Sequence, residues 1–114
     1  MVDSEEYVPR RGDLVWLNFS PQAGHEQRGH RPALVLSPRR YNERAGLALL
    51  CPITSRVRGY PFEVALPDTL ETEGVVLADQ VRSLDWRKRG AERIESSPPA
   101  PVGEAIAKIQ TLLE

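Results

Sequence analysis

Both histidines of the 114-residue chain, His25 and His30, fall in one short stretch, GHEQRGHRP, where Glu26 and Arg28 stand between two glycines and Arg31 follows His30. An imidazole titrates near working pH, a carboxylate can accept a proton, and a guanidinium fork matches phosphate oxygens. Such a set suits proton transfer at a phosphate. A hydroxyl can be added to it from further along the chain. If the apolar runs beginning at Arg31 and ending at Thr54 are antiparallel neighbours, they bring those two residues together. A permanent cation beside a hydroxyl suits a reaction in which negative charge builds on phosphorus, such as attack by a ribose 2′-hydroxyl on the adjacent phosphate. Metal chemistry is less well supplied. His25 and His30 could share a zinc, but the single cysteine, Cys51, and the lack of a tight carboxylate cluster leave no ligand spacing. No metal and no cofactor are expected.

The formal net charge is only −1, yet the charges are segregated. Between Arg28 and Arg58 seven arginines (Arg28, Arg31, Arg39, Arg40, Arg44, Arg56, Arg58) face one acid, Glu43, while acids crowd the N-terminus, residues 68–73 and the tail. Scattered arginines ordinarily form a solvated surface. Their adjacency to the histidine-bearing loop supports a polyanion groove instead. Cys51 lies in the apolar run LALLCPI and reads as a buried small hydrophobe. The opening residues do not resemble a secretory signal, and no run approaches the ~18 apolar residues of a membrane span. A cytoplasmic protein with no membrane partner is expected.

The elements that must position these residues are short. DLVWLNF (residues 13–19), RPALVLS (31–37), LALLCPIT (47–54) and PFEVAL (61–66) read as strands, two more lie in GVVLADQVRSLDW (74–86), and residues 91–94 can add an edge. The second run is apolar enough to be covered on both faces, and Trp16 is assigned to the core. After Pro98, Pro99 and Pro101, residues Val102, Ile106, Ile109 and Leu113 form one helical stripe. The pattern predicts one mostly β domain: a small curled sheet or barrel over residues 10–96, then a helix over 101–113. Two polar, glycine-bearing connections, residues 20–30 and 55–60, are where a site would be built. In ADQVRS, Asp79, Gln80 and Arg82 can pass under the groove, and Gln80 can read a base edge.

Several blocks in order, GDLVWLNFSP, GHRPALVLSP, YN, CPIT, GYPFEVALP and GVVLADQVRSLDWRKRGA, resemble the MazF/PemK family of bacterial toxin endoribonucleases from about Tyr7 to Ala91. The resemblance implies a small SH3-like β-barrel of the PemK/CcdB kind with a C-terminal α-helix. It also implies a homodimer, metal-independent cleavage of single-stranded mRNA, and neutralisation by a cognate MazE-like antitoxin. Carried over by motif, the catalytic pair is Arg31 of GHRP and Thr54 of PIT, with Glu26 similar to an acidic position near the active site and His30 beside it. Because a free arginine holds its proton far above neutral pH, His30 or Glu26 is the easier base. Arg28, Asn42, Arg56, Arg58, Asp79 and Gln80 are the candidate RNA-binding residues. The basic RVRG after Ser55 departs from the family pattern in a loop expected to touch RNA, so the cut site can differ from the ACA-type triplets of relatives. Two other functions stay open: a gyrase-binding toxin of the same fold without catalysis, and a non-catalytic RNA-binding barrel.

Overall fold

The computed structural model describes residues 6–20 and 30–114. Its elements are β1 (Asp13–Asn18), β2 (His30–Val35), α1 (Arg39–Ala45), β3 (Leu47–Thr54), β4 (Glu63–Ala65), β5 (Val75–Leu77), a 3₁₀ turn (Ala78–Gln80), β6 (Arg82–Asp85), β7 (Glu92–Ser96) and α2 (Pro99–Thr111). All the pairings are antiparallel, in the order β4-β5-β3-β2-β1-β7. β3 is the hub. Its first half pairs with β6 through Leu47↔Asp85 to Leu50↔Arg82, its end pairs with β5 through Ile53↔Val76 and Thr54↔Val75, and β2 takes the other edge. Of the curled sheet or barrel expected from sequence, the structure takes the open form: β4 and β7 end the path without pairing to each other.

Side-chain alternation along the strands builds two cores, one against each face. Leu14, Leu34, Cys51, Ile53, Val64 and Val76 face one side, where Val102 and Ala105 of α2 cover them. Val15, Leu17, Ala33, Val35, Ala48 and Leu50 face the other, closed by Val8, Leu84 and Trp86. This explains why β2 reads as a continuous apolar run: each neighbouring pair of its residues serves two cores. Cys51 is buried as expected, and burial pushes its thiol up to about 12, with Asp79 adding in the same direction. α2 starts on Pro99, a proline in the first turn where no N–H is required. Its stripe ends sooner than the sequence suggested. Ile106 and Ile109 pack on the core, but the helix stops at Thr111 and Leu113 is 80% exposed. No helix among the described residues is long and apolar enough to cross a membrane.

Two other expectations change. α1 is a seven-residue helix that RRYNERA did not announce, because only Asn42 of it is buried and no apolar stripe exists. Gly46, at φ +72°, ends it in the left-handed conformation that glycine adopts most readily. Asn42, a candidate RNA contact from sequence, is fully buried and cannot reach a nucleic acid. Its Nδ2 donates to Pro9 O at 2.8 Å and Ser37 O at 3.0 Å, its Oδ1 accepts from Ser37 Oγ at 2.5 Å, and its backbone carbonyl accepts the Trp86 indole N–H at 2.9 Å. One amide thus fastens the N-terminal segment, the β2–α1 corner and Trp86 together. Tyr7 strengthens the first of these, donating to the buried Asp13 carboxylate at 2.5 Å.

Two measurements follow from these interiors. Asn42→Ala strands two buried carbonyls and one hydroxyl, so urea unfolding is expected to report a loss of about 2–3 kcal/mol. The raised Cys51 pKa means that the unfolded chain releases the thiol proton first. The associated stability is complete below the ordinary thiol value and is lost as pH rises toward about 12. Ellman's reagent at pH 8 is accordingly expected to leave Cys51 untouched in the native protein and to titrate one thiol in denaturant.

Candidate functional site

The β2–β3 ladder pairs Val35 with Leu50, Leu34 with Cys51 and Ala33 with Pro52. Extending that register by two residues sets Arg31 opposite Thr54. Arg31 shares a face with Ala33 and Val35, and Thr54 with Leu50, so both side chains emerge on one side, past the edge of the second core. There they line a groove of about 580 Å³. The connection after β3 supplies Ser55, Arg56, Arg58 and Tyr60 to its wall, β4 and its lead-in supply Phe62 and Glu63, and the β5–3₁₀ segment supplies Leu77, Asp79 and Gln80. Three guanidiniums thus meet two carboxylates.

The groove is held from several sides. The Glu63 carboxylate accepts the backbone N–H of Arg58 at 3.0 Å and of Gly59 at 2.9 Å, closing residues 55–60 onto the sheet. Thr54 Oγ1 accepts the N–H of Arg56 at 3.1 Å, which leaves the hydroxyl proton free to be donated. Behind Thr54 the chain passes Gly74 so closely that a Cβ there would sit 2.1 Å from the Thr54 carbonyl oxygen, and its φ of +117° also demands glycine. The loop that delivers Gly74 is gripped in turn by Glu95, whose carboxylate accepts from Thr72 N and Oγ1, both at 2.8 Å, and from Glu71 N at 3.1 Å.

Not every candidate from the sequence reaches this groove. Arg31, Thr54, Arg56, Arg58, Asp79 and Gln80 line it, whereas Asn42 is buried elsewhere. His25, Glu26 and Arg28 lie outside the described residues. His30 is not among the lining residues. As the strand neighbour of Arg31 it points to the opposite face and stacks on Trp16, ring centroids 5.2 Å apart, which removes the reason for pairing it with Arg31 as base. Trp16 itself is 39% exposed, not core. The cationic stretch is also divided: Arg39 pairs with Glu43 at 3.1 Å, and Arg40 and Arg44 line a separate hollow with Tyr41 on α1. Sequence reading missed Tyr60 and Glu63. An exposed aromatic after RVRG was a usable signal for the first. Nothing local announced the second.

A family model described as PemK-like, MazF-like toxin of type II toxin–antitoxin system matches residues 10–113. The chain belongs to this toxin family. Among its relatives, the Escherichia coli K12 endoribonuclease toxin MazF is 50% identical over 107 residues, covering 94% of this chain and 96% of that protein. The crystal structure of MazF from Deinococcus radiodurans superposes with a TM-score of 0.87 at 59% identity, covering 95% of this chain and 98% of that one. A MazE–MazF crystal structure from the same organism matches at 0.84 and 53%, covering 95% and 97%. The toxin fold thus accounts for nearly the whole chain.

Gly74→Ala is expected to push Thr54 from its place opposite Arg31. A displacement near 1 Å at such a site lowers turnover by about 10²-fold. Cleavage rates per folded molecule, with circular dichroism to count the folded fraction, check this.

Proposed function

We infer that the chain is a type II toxin endoribonuclease that cleaves single-stranded mRNA, with Arg31 and Thr54 as its catalytic pair. The observation that carries the reading is their shared groove, in a chain half identical to an endoribonuclease toxin. The RNA's own 2′-oxygen forms a bond to the adjacent phosphorus and the bond to the 5′-oxygen breaks. The products are a 2′,3′-cyclic phosphate and a 5′-hydroxyl. Arg31 stabilises the charge on the crowded phosphorane, and Thr54 donates its hydroxyl to a phosphate oxygen. A guanidinium and a hydroxyl supply these needs without a metal ion. The proton of the 2′-hydroxyl goes to a carboxylate, Glu26 by its motif or Asp79 by its place in the groove, and the 5′-oxygen takes up a proton from solvent water as it leaves.

Arg56 and Arg58 bind phosphates, Tyr60 offers an exposed face for stacking a base, and Gln80 reads a base edge. Arg28, three residues before Arg31 in the sequence, is a further member of the binding set. Cleavage sites are short sequences, ACA-containing ones among the candidates. A MazE-like antitoxin blocks the groove with an acidic segment that orders on binding, and the MazE–MazF complexes of a relative support that partner. The working unit is a homodimer, acting in the cytoplasm where its mRNA substrate is.

End-mapping of a single-stranded RNA incubated with pure protein in a chelator tests the reading. The expected result is discrete cuts bearing 2′,3′-cyclic phosphates, slowed at least about 10²-fold in Arg31→Ala and in Thr54→Ala. Intact RNA with the wild-type protein would falsify it.

A further inference from the structure

The cationic surface continues beyond the groove's lining. Phe19, just after β1, takes two guanidiniums at once: the Arg31 Cζ lies 5.7 Å from its ring centroid and the Arg82 Cζ 5.5 Å. Both distances fall within the ~6 Å reach of a cation–π contact. The strands explain the convergence. Phe19 follows Leu17 and Val15 on the second-core face, where Arg31 also emerges. Arg82 is paired with Leu50 and stands two residues before Leu84, both members of that same core. Arg82 is exposed and follows directly on the segment that gives Asp79 and Gln80 to the groove.

Elsewhere on the surface, an arginine on an aromatic ring also has an acid. Arg87 lies 4.6 Å from the Trp86 ring centroid and pairs with Glu6 at 2.9 Å. Arg31 and Arg82 have no carboxylate partner among the described residues. Two like charges brought to one ring repel each other, and the ring quadrupole offsets only part of that. An anion beside them would complete the arrangement. We propose that Arg82 is a second phosphate-binding residue, taking the phosphate next to the one held by Arg31, and that Phe19 is the positioning residue that fixes both guanidiniums. The proposal rests on the RNA-cleaving reading above. It extends the RNA path from the groove across Phe19 toward β6.

The test uses RNA carrying a 2′-deoxy nucleotide at the mapped cut, which binds but cannot be cleaved, titrated at several salt concentrations. Arg82→Ala is expected to weaken binding about ten-fold and to flatten the plot of log affinity against log salt by about 0.7, one phosphate contact. Arg82→Lys should restore the slope, because a phosphate needs charge more than a fork. With cleavable RNA, the loss in Arg82→Ala falls on KM. Phe19→Leu, which keeps apolar bulk but removes the ring, lowers kcat as well, and Phe19→Tyr recovers it. Wild-type affinity and slope in Arg82→Ala would overturn the proposal while leaving RNA cleavage intact. A wild-type protein that binds no RNA would instead overturn the reading beneath it.

Discussion

The antiparallel register between β2 and β3 is the constraint on which the site depends. It sets Arg31 opposite Thr54, and a slip of one residue would turn one of the two side chains to the opposite face. The slip is strongly opposed. Ala33, Leu34 and Val35, and likewise Leu50, Cys51 and Ile53, are almost wholly buried, and the alternation assigns them to two different cores. Shifting either strand would exchange its members between cores of different shape. The two packed interiors therefore hold the cation and the hydroxyl in place, although neither residue belongs to them.

Most of the strands were legible because this alternation leaves its mark on the sequence. LALLCPIT is strand along its whole length, and β1, β2 and β7 fall within two residues of their expected bounds. α1 was not legible, since a helix that buries only an asparagine carries no apolar period. The site divides in the same way. Arg31 and Thr54 could be brought together from strand order and motif, and Arg56, Arg58, Asp79 and Gln80 from adjacency. The misplacements, His30, Trp16 and Asn42, share a cause: each depends on which face a side chain takes or on a single buried hydrogen-bond network. A motif records that a residue is present without recording the direction in which it points. Glu63 was missed because its partners are main-chain N–H groups, which no side-chain pattern advertises.

Support for the groove is distributed around the molecule. Glu95 on β7, at the far end of the sheet path, grips Thr72, and two residues later Gly74 slides beneath the Thr54 carbonyl. On the other side Asn42 and Tyr7 tie the N-terminal segment to the edge of the second core. Neither set touches the groove. Each restrains a backbone that does, which is how a small domain with modest interiors can keep a few polar groups in fixed relation.

The connection over residues 55–60 is fastened by the Thr54 oxygen at its start, and at its finish by the two oxygens of Glu63 and by the Glu63 N–H on the Tyr60 carbonyl. All six of its residues are exposed, so none contributes to either interior. Except at Gly59, whose φ of +82° favours glycine, substitutions there leave folding stability nearly untouched, while they alter the wall against which a bound strand would lie. This short span can therefore diversify among descendants at little thermodynamic cost, so that new preferences arise on an inherited scaffold without compensating changes elsewhere.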